Sequence, residues 1–135
     1  MDLILSNYTF NYSMQTRWKD MDSFQHVNNS AFLTYIEDAR ISMFNRWSIQ
    51  DKKQSIIVAS ISIAYHKQLK HLSHIIIGQK ISKIGKTSFD ISFGIFLDCD
   101  ANDPVATGIV TCVCFDYMQN IPVSVYSAIK DDYKK

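Results

Sequence analysis

The stretch DMDSFQHVNNS, residues 20–30, holds two aspartates two apart, a histidine, two asparagines and a serine. A carboxylate can attack an activated carbonyl or act as general base for water. A histidine beside it, with an ordinary pKa near 6.5, can orient the acid or relay a proton. Asn28, Asn29 and Ser30 need no chemistry to explain them, because a short side-chain oxygen at a helix start takes an orphan amide of the first turn. Capping leaves Asp22 unexplained. If the loop doubles back, Asp22 faces the free amides and positive end of the following helix, where an oxyanion can be held. By residue type alone His26 also reads as a polar turn residue. Asp20 reads as a solvated or ion-paired acid, since it shares a face with Asp22 only in an extended chain.

The helix behind this loop is predicted from Asn29 to Trp47. Ala31, Phe32, Tyr35, Ile36, Ala39, Met43, Phe44 and Trp47 recur at three and four residues, the helical period. Such a helix would run about 28 Å at 1.5 Å per residue. The remainder reads as strands. Asn7–Trp18 alternates through Phe10, Tyr12 and Met14, SIIVASISIAYHK is rich in β-branched residues, and HIIIGQKISKIG ends at a Gly85–Lys86 turn. Ser88–Leu97 alternates cleanly, with Phe89, Ile91, Phe93, Ile95 and Leu97 on one face. VATGIVTCVCFDYM is apolar on both faces, as a central strand would be, and the tail SAIKDDYKK is left as a short helix or a frayed end. The order β-α-β-β-β-β, with one long helix and a mostly antiparallel sheet, points to an α+β fold in which a curved five-stranded sheet wraps the helix.

The composition excludes several classes. At 135 residues, with 47% hydrophobic residues, the chain is expected to form a single domain over 1–135 with a packed core. A net charge of +1 lacks the basic footprint of a nucleic-acid binder. The start MDLILSNYTF has no signal-peptide pattern, and no apolar run approaches the roughly 20 residues of a membrane span. Cys99, Cys112 and Cys114 have no companion Cys/His cluster of zinc-like spacing, so no metal site is expected, and buried free thiols and a cytoplasmic location are the plain reading.

The segment RWKDMDSFQHVNNSAFLTYIEDAR, residues 17–40, resembles the 4-hydroxybenzoyl-CoA thioesterase-like branch of the hotdog-fold acyl-CoA thioesterases. R-x-x-D-x-D is followed by H-V-N-N and then by an aromatic-rich helix carrying E-x-A-R. AYHKQ, ISKIGKTSF and VATGIVTCVCFD fall in the matching strand order.

The resemblance implies thioester hydrolysis of an acyl-CoA or acyl-carrier-protein substrate without a cofactor. The family's catalytic carboxylate corresponds to Asp22, and the backbone amide that polarises the thioester carbonyl falls at or next to Asn29. His26 assists, and Asn28 stands beside the substrate. Plant acyl-carrier-protein thioesterases share a similar stretch, but here Phe24 stands where they have an asparagine.

Glu37, eight residues after Asn29, is a rival carboxylate, because a sibling branch carries its acid on the helix. Its alternative is an i,i+3 pair with Arg40. Lys86, Thr87 and Ser88 correspond to the family's segment near the pantetheine arm. HKQLKH, residues 66–71, with Lys80 and Lys83, holds further candidate cations for phosphates, although a solvated strand end is the plainer reading of any one of them. The family's habit of joining two sheets edge to edge implies a homodimer or homotetramer. A non-catalytic acyl-CoA sensor and a hotdog dehydratase or hydratase are the competing functions.

Overall fold

The computed structural model describes residues 4–49 and 54–134. Strand β1 (Phe10–Gln15) leads through a short turn and loop into helix α1 (Asn29–Asn45). Strands β2 (Ser55–Tyr65), β3 (His74–Ile84), β4 (Ser88–Leu97) and β5 (Ala106–Asp116) follow, then a two-residue strand β6 (Ile121–Pro122) and helix α2 (Ser127–Tyr133). The sheet runs β1-β3-β4-β5-β2 with β6 added to β5, and every pairing is antiparallel. This is the expected hotdog architecture, a curled antiparallel sheet around one long helix, extended by β6.

Periodicity sets the core. Alternate residues of β4, Phe89, Ile91, Phe93 and Ile95, and of β5, Val110, Cys112 and Cys114, are buried with Phe32, Tyr35, Ile36, Ala39 and Met43 of α1. Fully burying side chains of this size contributes about 1.5–3 kcal/mol each. β5 is an inner strand, as its two apolar faces require. Cys112 and Cys114 are buried free thiols, whereas Cys99 is exposed. The opposite face of β4 holds one apolar exception. Phe96 is buried under Tyr8, ring centroids 6.0 Å apart.

Three boundaries fall short of the sequence pattern. β1 begins at Phe10 rather than Asn7 because Leu5–Asn7 forms a 3-10 turn. β1 stops at Gln15 because the Arg17–Asp20 ion pair, 2.9 Å, closes a 3-10 turn over Trp18–Asp20. α1 ends at Asn45 because the last amides tighten onto carbonyls three residues back, Arg46 on Met43 and Trp47 on Phe44. The Trp47 indole still caps the core against Phe89 and donates to Asp132 of α2. The tail is thus helical and tethered.

Candidate active site

Residues 20–28 fold back on themselves. Met21 bridges Val27, the Asp22 amide donates to the His26 carbonyl at 2.8 Å, and Gln25 donates to the Asp22 carbonyl at 3.1 Å. Gln25 makes the turn with φ 64°, the left-handed region that costs a non-glycine residue about 1–2 kcal/mol. The returning limb is then fastened to the segment before β3, with the Val27 amide on the Leu69 carbonyl and His26 bridging Lys70.

Within this loop the Asp22 carboxylate is held by one oxygen. Its Oδ1 accepts the amides of Phe24 at 2.9 Å and His26 at 3.1 Å. The half-buried Asp22 has no ion pair among the described residues. Asp20 has the role its spacing suggested. It is buried, paired with Arg17, and receives the Tyr35 hydroxyl at 2.7 Å. Burial by itself would raise the Asp20 carboxyl, but the hydrogen bonds from Arg17 and Tyr35 and the guanidinium charge outweigh it and hold the group below the usual carboxylate range.

Asn28 is the N-cap of α1, its Oδ1 taking the Ser30 amide at 3.0 Å. Asn29 is therefore the first helical residue. Its amide is one of the helix-start donors without an intrahelical partner, and no hydrogen bond among the described residues takes it. The first turn contains no acid, so the positive end of the helix is not neutralised from within.

Asp22, His26 and Asn29 line one cleft of about 480 Å³ with Phe24, Phe32 and Tyr65. His66, Lys67, Gln68 and Leu69 form the far wall. Tyr65 stacks edge-on against Phe32 at 5.2 Å, and its hydroxyl donates to the Asn29 carbonyl at 3.3 Å. This wall was not legible as part of the site, because it is carried in by the pairing of residues 26–27 with 69–70. An acceptor, an unoccupied amide and an aromatic slot are what addition to a thioester carbonyl requires.

The other candidates lie elsewhere in the chain. Asn28 caps the helix behind the cleft lining. Glu37 is exposed two turns along α1 and forms no ion pair with Arg40, which is buried instead. Lys86, Thr87 and Ser88 form the β3–β4 hairpin, where the Lys86 and Thr87 carbonyls accept Val125 and Cys114 amides. That hairpin borders Phe89 and Trp47 at the C-terminal end of α1, about 25 Å along the helix from Asn29. Lys67 reaches the cleft but is engaged, with Asp103 at 2.7 Å and Asp100 at 3.5 Å.

A family model described as the thioesterase-like superfamily matches residues 16–132. The chain belongs to the thioesterase-like superfamily. The 4-hydroxybenzoyl-CoA thioesterase-like branch read from residues 17–40 fits this membership. YsmA of Bacillus subtilis (strain 168) is 28% identical over 111 residues, spanning 80% of this chain and 74% of YsmA. The crystal structure of the PA5185 protein from Pseudomonas aeruginosa is 20% identical with a TM-score of 0.89, covering 99% of this chain and 95% of that one. A thioesterase from Thermus thermophilus, solved in complex with coenzyme A and Zn, is 23% identical with a TM-score of 0.79, covering 95% and 99%. Among thioesterase-like proteins at these identities, the solved structures establish a shared fold. No helix among the described residues is long and apolar enough to cross a membrane.

Proposed function

We propose that the chain is an acyl-CoA thioesterase, with Asp22 as nucleophile or general base and the Asn29 amide polarising the carbonyl. The observation that supports this reading is that Asp22 and Asn29, whose amide has no partner among the described residues, line one cleft. The thioester oxygen would take the Asn29 N–H, where the positive helix end favours developing negative charge. Asp22 then either adds to the carbonyl carbon, expelling the thiolate and leaving a mixed anhydride for water to open, or takes a proton from the attacking water. Either route yields free acid and thiol. His26, in the same cleft, assists proton transfer.

Three features favour this over the competing functions. Asp22 is half-buried and has no ion pair among the described residues, unlike Asp20, which is buried and paired with Arg17. Coenzyme A in the Thermus thermophilus relative supports a CoA donor. A dehydratase would need a histidine and acid set differently around the helix. Lys86, Thr87 and Ser88, remote from the cleft of their own chain, would serve a pantetheine arm only from a second copy, so the reading includes a homodimer, with a homotetramer as its extension. Free buried thiols fit a cytoplasmic location.

The test is incubation of the purified protein with acyl-CoAs and acyl-carrier proteins of varied acyl group, reading free thiol. Thiol release from at least one acyl-CoA is expected. A folded protein that binds acyl-CoA and releases none would reject hydrolysis in favour of the sensor.

A further inference from the structure

Gln79 is the polar residue in the buried row of β3. Ile75, Ile77, Gln79 and Ile81 alternate along the strand and all four are buried, Gln79 to 2% exposure. Its Nε2 donates to the Ala39 carbonyl of α1 at 3.0 Å, and its Oε1 is buried without a hydrogen-bond partner. Buried acceptors in folded proteins almost always find a donor, because an unpaired one carries its full desolvation penalty. A fourth apolar side chain would fill the row without that penalty, so packing alone does not account for the amide.

Gln79 lines a cavity of about 380 Å³ between β1 and the later part of α1. Phe10 pairs with Gln79, and Tyr12 with Ile77, across β1 and β3. Directly paired residues point to the same face, so both rings lie on the helix side of the sheet. They are only half-buried, because β1 is an end strand with β3 as its one neighbour. Ser42 and Met43 of α1, with Arg46 at its end, form the opposite wall.

The Arg46 guanidinium lies over the Phe10 ring, 4.3 Å from its centroid. Its ion pair is loose, 3.8 Å to Asp132 with the Arg46 side chain 51% exposed, and Asp132 also takes the Trp47 indole. A guanidinium stacked on one face keeps edge donors for a second carboxylate. Ala39, which fixes the Gln79 amide, and Arg46 are seven residues apart, so acceptor and cation stand up to about 10 Å apart along the helix. The lining shares no residue with the Asp22 cleft.

We propose that this cavity binds a small carboxylic acid carrying an O–H or N–H donor at its far end. The donor meets Gln79 Oε1, the intervening chain lies against Phe10, Tyr12 and Met43, and the carboxylate meets Arg46. The site is separate from the catalytic cleft, and its test does not depend on hydrolysis.

The experiment is an NMR shift titration of the full chain with three matched probes. ω-Hydroxyhexanoate has both ends, hexanoate lacks the donor, and hexanediol lacks the anion. ω-Hydroxyhexanoate is expected to bind with a Kd of about 1 mM or tighter and to shift the Gln79 side-chain amide. Hexanoate and hexanediol should each bind about tenfold more weakly. Arg46→Gln should weaken ω-hydroxyhexanoate by about tenfold, and Ser42→Trp, at an exposed helical position, should block it, with circular dichroism as the folding control. Gln79→Leu, if folded, should bind the two acids equally; if it does not fold, the wild-type comparison decides. Equal wild-type affinity for the two acids would overturn the proposal. So would no binding at about 10 mM, or an affinity unchanged in either folded variant of Arg46 or Ser42.

Discussion

Asp22→Asn separates the chemical role of this carboxylate from its structural one. In the loop, Oδ1 accepts two backbone amides at 2.9 and 3.1 Å. The asparagine carbonyl can accept both, so the turn and the amide of Asn29 should stay in place, with a stability change under about 1 kcal/mol. Asp22→Ala leaves both amides to water or unpaired, at about 0.5–1.5 kcal/mol for each bond. The asparagine keeps the shape but offers no anionic oxygen for the carbonyl carbon or for water. Loss of the nucleophile or base should lower kcat by about 10³-fold or more, equivalent to about 4 kcal/mol of transition-state stabilisation. KM should move little, because the acyl and pantetheine contacts are untouched. The assay is free-thiol release from the best acyl-CoA, with kcat and KM separated and melting temperature recorded for each variant. A folded Asp22→Asn enzyme within about tenfold of wild type would remove Asp22 from the chemistry.

His26→Ala keeps the backbone bonds that fasten the loop and should cost about 10²–10⁴-fold in turnover if the ring moves a proton. An unchanged rate and pH profile would make His26 a turn residue only. Glu37 lies about 12 Å along the helix from Asn29, so Glu37→Gln, assayed at a concentration where its oligomeric state matches wild type, should lose far less turnover than Asp22→Asn. The reverse ranking would put the catalytic acid on the helix. Asp20→Asn tests stability. The folded carboxyl is held low, so its stabilisation is present above the unfolded value near pH 4 and is lost as pH falls through the folded value. Urea unfolding should show the variant about 2 kcal/mol weaker at pH 7, with the gap closing in acid. A gap that persists in acid would refute the linkage.

How far the sequence could be read depended on how far each feature reaches along the chain. The helix and strands were legible because a period of 3.6 or 2 is written into consecutive residues, and burial follows it from Phe32 to Met43 and from Phe89 to Ile95. The Asn28 cap was legible, and the doubling back of the loop could be posed as a condition, because donor and acceptor lie within eight residues. What decides the rest of the site is long-range. Lys67 reads as a phosphate cation until Asp100 and Asp103 arrive from the β4–β5 turn. Tyr65 and His66 join Asp22 only because the segment after β2 returns to pair with Val27. Arg40 shows the limit most clearly. Its spacing from Glu37 suggested a pair on the helix surface worth a few tenths of a kcal/mol, yet the fold buries one partner and exposes the other. An i,i+3 spacing brings two helical residues near each other but does not choose their surroundings. Here Arg40 is buried near Cys112 on β5 and Glu37 is exposed.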